Sequence, residues 1–270
     1  MSERIRVEIK DHVADVKLVR SDKMNALDND MFSALIDTTA QLNETKEVRA
    51  VVLSGEGRAF CAGLDMGNFA AMAGGADAKP TSSLGNTLAE RTHGIANRAQ
   101  QAVWGWRTLR VPVIAAVHGV AFGGGFQVMC GPDIRIIHPD TKLSILEVKW
   151  GLIPDMAGTP VFRNLAREDV IRELTYTGRI FSGAEAKEYG FATHVSETPY
   201  EDALKLAADI AAKSPTAVQT AKKLYNALPD ATDAEALMME SVEQDKIMGS
   251  PNQKEAVIAG LEKRDGNFTD

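Results

Sequence analysis

The apolar residues follow short alternating and continuous patterns up to about residue 195, and helical spacing beyond it. Ile5-Arg-Val-Glu-Ile9 and Val13-Ala-Asp-Val-Lys-Leu-Val19 alternate apolar and polar side chains around Asp11-His12, which predicts a hairpin of two half-buried strands. From about Asp28 to Asn43 the residues Met31, Leu35, Ile36 and Leu42 share one helical face, and Asp28 or Asn29 can cap its start. Val48–Leu53 and Val111–Val117 are continuous apolar runs, as expected of strands buried on both faces. A helix predicted from about Leu88 to Leu109 leads into the second run. After Gly119, Gly123, Gly124 and Gly125 a short helix and a strand over Asp133–Ile137 are expected. Strands alternating with helices predict an α/β fold with parallel pairing. Beyond Phe191–Val195 the pattern predicts helices over Tyr200–Lys213, Thr216–Leu228, Asp233–Met248 and Gln253–Lys263. The expected division is an α/β core over 1–198 and a helical region over 199–270. The small, polar, Gly-rich stretch at 70–90 reads as a mobile surface loop.

Composition narrows the chemistry. A chain of 270 residues buries a large enough core to need no covalent staple. Cys61 and Cys130 are its two cysteines, too few for a disulfide framework or a four-thiolate zinc site. The histidines at 12, 93, 118, 138 and 194 form no His-x-x-x-His pair, so no metal site is expected. The balance of 30 basic and 37 acidic residues, without a basic stripe, argues against a nucleic-acid partner. Val111–Val117 is too short to span a bilayer, and no apolar stretch comes after Met-Ser-Glu-Arg-Ile-Arg, so neither a membrane span nor a signal peptide is expected. The expected location is the cytoplasm.

Two glycine-rich loops are candidates for holding an anion. Gly55-Glu-Gly57-Arg-Ala-Phe60 nearly matches a dinucleotide fingerprint, but Phe60 stands where the third glycine belongs. His118-Gly-Val-Ala-Phe-Gly123-Gly124-Gly125 lacks the Lys-Ser/Thr of a phosphate-binding loop, which argues against an NTPase. Glycines opening a helix still let backbone approach a ligand and leave first-turn N–H groups unpaired, a way to stabilise charge developing on oxygen. Close helix–sheet packing explains the same glycines equally well.

The combination of segments is more specific. Lys23-Met-Asn-Ala-Leu27, Phe60-Cys-Ala-Gly-Leu-Asp65, Val113-Ile-Ala-Ala-Val-His-Gly119, Phe122-Gly-Gly-Gly125, Gly151-Leu-Ile-Pro154, Leu174-Thr-Tyr-Thr-Gly178, Ala184-x-Ala186-x-x-x-Gly190 and Glu262-Lys-Arg-Asp-Gly-Asn-Phe268 occur in this order. Together they resemble the crotonase superfamily of enoyl-CoA hydratases and isomerases. The resemblance runs from about residue 5 to 268. It implies a core of repeated ββα units, with a C-terminal helical region through which family members form trimers and pair trimers into hexamers.

It also implies an acyl-CoA substrate, with coenzyme A as part of the thioester and no permanently bound cofactor. The thioester enolate would be held by two backbone N–H groups, those of Leu64 and Gly124. Ala62, Gly63, Asp65 and Gly123 would surround them, with Asp65 an acceptor for loop N–H groups. Lys23 would meet a CoA phosphate, with Arg58 a second candidate. Lys263 and Arg264 would reach a neighbouring subunit's CoA.

Hydratases of the family use two glutamates. The first position is Gln127 here, expected at the substrate and unable to carry a proton; the second is Glu147. Asp155 stands eight residues later, where dienoyl-CoA isomerases of the family also carry an acid. An allylic double-bond shift needs one mobile carboxylate or two opposed ones. Gly151 and Pro154 prevent Glu147 and Asp155 from sharing a helix. The expected activity is therefore an enoyl- or dienoyl-CoA isomerase with Glu147 and Asp155 as acid and base. The alternatives are a hydratase with an altered acid–base set, and a non-catalytic CoA-thioester or RNA-binding module. Phe126, Met156 and the tryptophans at 104, 106 and 150 are candidate walls of an acyl pocket.

Overall fold

The computed structural model describes residues 4–65, 67 and 87–270. Most of the expected 70–90 loop therefore lies outside the described residues. Strands β1 (Ile5–Lys10) and β2 (Val13–Leu18) form the antiparallel hairpin, turning through Asp11 and His12 at positive φ. Helix α1 (Asn29–Glu44) starts at Asp28, whose carboxylate accepts from the Met31 N–H, and leads into β3 (Ala50–Gly55), parallel to β2. Helix α2 (Arg98–Thr108) precedes β4 (Val113–Val117), which adds parallel to β3. Then come β5 (Val120–Phe122), α3 (Gly124–Cys130), β6 (Ile134–Ile137) and β7 (Lys142–Ser144).

A 3-10 turn at Glu147–Trp150 is succeeded by α4 (Gly158–Phe162) and α5 (Glu168–Thr177), then β8 (Phe181–Ser182), α6 (Gly183–Tyr189) and β9 (His194–Val195). Four helices close the chain: α7 (Pro199–Ala211), α8 (Pro215–Ala227), α9 (Asp233–Ile247) and α10 (Pro251–Glu262).

The main sheet runs β1-β2-β3-β4-β6-β9, parallel except for its hairpin, and a second sheet runs β5-β7-β8. The fold is mixed α/β, built of ββα units. The central strands are mostly apolar because both faces are covered. Val51 and Leu53 of β3 pack into the core with α1 and α2. Ala50 and Val52, with Ile114, Ala116 and Ile136, pack against Ala203, Ala207 and Ala211 of α7. Alanine at every fourth position gives α7 a flat face that lies close on the sheet. The first helix of the expected C-terminal region thus completes the core. Helix α8 is pinned by Lys222, whose buried Nζ donates to the Val111 carbonyl and to Asp133 Oδ2, both at 2.8 Å.

The helix expected from Leu88 begins at Arg98 instead. Asn97 caps it, accepting from the Gln100 N–H, while Gln100 Oε1 accepts from the Asn97 N–H. This reciprocal pair closes the helix start and leaves 88–97 in turns. Among the described residues, no helix is long and apolar enough to cross a membrane, and no cluster of side chains is suited to a metal ion.

Candidate functional site

The site is assembled by backbone pairing between loops distant in sequence. After β3 the chain runs beside β5: the Phe60 and Cys61 N–H groups donate to the His118 and Val120 carbonyls, and the Phe122 N–H donates to the Cys61 carbonyl. The next residues reach the segment before α1. There the Ala62 N–H donates to the Met24 carbonyl, Leu27 N–H to Gly63, and Asp65 N–H to Leu27. These bonds skip Leu64, whose N–H has no hydrogen-bond partner among the described residues; the Gly124 N–H, at the first position of α3, also has none.

Gly63 lies at φ +90° against β5, where an added methyl would stand 2.5 Å from the Phe122 carbonyl oxygen and 3.7 Å from the Gly124 nitrogen. Any side chain would push the two loops apart. The structure therefore brings Ala62, Gly63, Leu64, Gly123 and Gly124 into one place. Leu27 and Met156 close over Gly124, each with a side-chain atom 2.8 Å from where its Cβ would be.

Asp65 faces the scaffold. Its Oδ1 accepts from the Gly67 N–H at 2.8 Å and its Oδ2 from Arg20 Nη1 at 2.6 Å. Those two donors hold its carboxyl below the usual carboxylate range. Arg20 Nη1 also donates to the Ala26 carbonyl, and Arg20 pairs with Asp28, the α1 cap. The loop carrying Leu64 is thereby tied to the start of α1.

The opposite side is carried by β7 and the turn after it. The Gly123 N–H donates to the Ser144 carbonyl, so Ile145 and Leu146 deliver Glu147 beside Gly123. Gly123, at φ +50° and ψ −119°, is in a conformation open to glycine alone, and a methyl there would stand 3.6 Å from Glu147 Oε1. Glu147 is 8% exposed. Its Oε1 accepts from Gln127 Nε2 at 2.6 Å, and its buried Oε2 has no hydrogen-bond partner among the described residues. Burial pushes the Glu147 carboxyl above its ordinary value and nearby Asp155 adds to this, while the backbone N–H groups of Glu147 and Leu146 and the Gln127 amide pull it part of the way back.

Gly151, at φ +70°, ends the Glu147 turn, and the chain bends back through Pro154 to Asp155. Asp155 is exposed, yet the protein crowding its side chain raises its carboxyl too.

The other candidates fall elsewhere. Lys23 is exposed on the turn before Met24, and Arg58 is exposed as well. Lys263 is an exposed helix cap and Arg264 pairs with Glu255 and Glu262. Trp106 and Phe126 are fully buried, and Phe126 packs edge-on with Phe162, Phe181 and Phe191, so neither lines a pocket. Of the proposed walls, Met156 is at the site. Cys61 and Cys130 are buried, with thiols pushed up to about 12, which makes them inert. Sequence reasoning missed Arg20. Its importance depends on a partner 45 residues away, and no local pattern announces such a pair.

A family model described as enoyl-CoA hydratase/isomerase matches residues 8–270. A mitochondrial Delta(3,5)-Delta(2,4)-dienoyl-CoA isomerase of Dictyostelium discoideum is 29% identical over 269 residues, covering 98% of this chain and 90% of that protein. The enoyl-CoA hydratase EchA19 of Mycobacterium tuberculosis is 32% identical over 267 residues, covering 97% and 95%. Among solved structures, an enoyl-CoA hydratase from Bacillus anthracis superposes with a TM-score of 0.87 at 28% identity, covering 98% of this chain and 99% of that one.

Proposed function

The chain belongs to the enoyl-CoA hydratase/isomerase family, and from that premise we propose that it shifts a carbon–carbon double bond in an enoyl- or dienoyl-CoA thioester. The observation that carries this reading is the carboxylate set beside Gly124. Glu147 is buried and has one oxygen without a hydrogen-bond partner among the described residues, Asp155 is exposed and near enough to raise the Glu147 carboxyl, and an amide, Gln127, fills the position of a second glutamate.

In the proposed reaction the thioester oxygen accepts from the Leu64 and Gly124 N–H groups. As Glu147 takes a proton from an allylic carbon, the C–H electron pair moves into the enolate, and those two donors stabilise the developing charge. The same proton, or one from Asp155, returns to the distal carbon as the double bond re-forms. No group is oxidised or reduced, and no permanently bound cofactor is required. A raised Glu147 carboxyl suits both roles, since a base must also release its proton. Lys23 is assigned to a CoA phosphate, by its exposure next to the Met24–Ala62 pairing.

A second reading is hydration of a 2-enoyl-CoA, favoured by the 32% identity to a hydratase. The purified protein is offered 3-enoyl-, 3,5-dienoyl- and 2-enoyl-CoA. Double-bond migration is expected; water addition without migration overturns the isomerase reading, and no turnover of any thioester supports a non-catalytic binder. We also propose assembly into trimers or paired trimers through the C-terminal helices, supported by the exposed Leu237, Met238, Ile258 and Leu261. Light scattering tests this, with a monomer as the contrary result.

A further inference from the structure

We propose that Gln127 is a positioning residue: it ties Oε1 of Glu147 and leaves Oε2 as the one oxygen that carries protons to and from the substrate. The inference rests on the reading of Glu147 as the base.

The orientation of the Gln127 amide is set by its partners. Gln127 is 1% exposed, and its Oε1 accepts from the Met156 N–H at 2.8 Å and the Gly158 N–H at 2.9 Å. Turning the amide over would aim its NH2 at two N–H donors and leave both backbone groups unpaired, at a cost of about 1–3 kcal/mol each. Nε2 therefore faces Glu147 Oε1, at 2.6 Å. The fit is close, since a methyl on Gly158 would stand 2.7 Å from Gln127 Oε1.

A donor aimed at Oε1 disfavours a proton on that oxygen, because an O–H there would oppose the N–H. Oε2 is buried and has no hydrogen-bond partner among the described residues, and so is free to take the proton of a substrate carbon. Its own lone pair forms the new O–H bond while the C–H pair passes into the enolate. The return step reverses both changes.

The charged groups around Glu147 are few. Asp155 acts on it through space. Lys149, on its own turn, is exposed and lies over the Trp150 ring. Helix α3 brings no charged side chain, and β7 brings Lys142, which is exposed. Helix α5, packed against the turn, carries Glu168, Asp169, Arg172 and Glu173; Arg172 pairs with Glu168, Asp169 with Arg167 and Glu173 with Arg179. Exchanging Gln127 therefore changes the side-chain donor to the carboxylate and leaves the nearby backbone N–H groups of Leu146 and Glu147 in place.

The test is the pH profile of kcat/KM for two variants. Gln127→Glu keeps an acceptor for the Met156 and Gly158 N–H groups but places a second carboxylate against Oε1. Gln127→Met removes the donor without adding charge. Gln127→Met removes a hydrogen bond that favours the ionised Glu147, and Gln127→Glu sets a carboxyl there whose negative charge, once ionised, opposes that of Glu147, so the acid limb moves to higher pH. Each unit of movement lowers kcat/KM about tenfold below the midpoint, with KM little changed. A folded variant with its limb displaced upward supports the inference. Profiles that superimpose on the parent overturn it, provided Glu147→Gln is inactive. An active Glu147→Gln overturns the reading of Glu147 as base, and this inference with it. If Gln127→Met fails to fold, Gln127→Glu, which preserves the backbone acceptors, decides the question.

Discussion

The loop carrying Leu64 and the turn carrying Glu147 meet at Gly123 and Gly124, and they hold their carboxylates in opposite ways. Asp65 is met by a guanidinium and a backbone N–H, and its carboxyl is held low. Glu147 is buried with an amide donor and no cation, and its carboxyl is driven up. A paired carboxylate fixes a loop at a low cost in free energy. A buried one without a counter-charge is costly in its ionised form, and so holds a proton more readily than a paired one. On the proposed reading, that difference assigns Asp65 to the scaffold and Glu147 to the chemistry.

The largest test of this contrast is Glu147→Gln. Loss of a general acid–base group lowers turnover by about 10²–10⁴-fold, so the thioester assay should fall to near background while circular dichroism is unchanged. A rate within a factor of a few of the parent would remove Glu147 from the chemistry. Gly63→Ala attacks the junction between the two regions. It forces φ +90° on a residue with a Cβ and drives that atom onto the Phe122 carbonyl. Urea unfolding should show a loss of about 2–3 kcal/mol, and unaltered stability would mean that the loop relaxes freely.

Asp65→Asn tests the scaffold side. Because the folded state lowers this carboxyl, its contribution is present above the unfolded value of about 3.9 and lost as pH falls through the folded value. The variant should be less stable by about 1 kcal/mol at pH 7, with the gap closing in acid; a gap independent of pH breaks the assignment.

The smallest effect has the opposite sign. The fold raises the Glu147 carboxyl, so its contribution is favourable below the unfolded value of about 4.3 and is lost as pH rises through the folded value. Glu147→Gln should therefore match or exceed the parent's melting temperature at pH 7 by a few degrees, a gain on the order of 0.5–1 kcal/mol. A lower melting temperature would show that the carboxylate is needed structurally.

Much of the architecture was legible in sequence because it repeats locally. The alternating hairpin, the Asp28-capped helix and the first two C-terminal helices, α7 and α8, carry periods that survive averaging over several residues. The second sheet did not: β5, β7 and β8 are two or three residues long, too short for any period to register. The start of α2 was readable from Asn97-x-x-Gln100, but the apolar pattern alone drew it ten residues early. At the site, glycine positions and the motif order pointed to Gly63, Leu64, Gly123, Gly124 and Glu147. Nothing local indicated that Gln127 would be buried and turned by two backbone N–H groups.

The sequence by itself determined the α/β alternation, the glycines that permit close backbone approach, and the family to which the chain belongs. Tertiary structure alone decided which polar groups face one another. Arg20 meets Asp65 across 45 residues, and Gln127 meets Glu147 across 20. The reason is range. Dihedral preference and side-chain period act over a few residues, whereas burial and charge pairing depend on the groups that packing brings within hydrogen-bonding reach. At this site packing sets the Asp65 carboxyl low and the Glu147 carboxyl high.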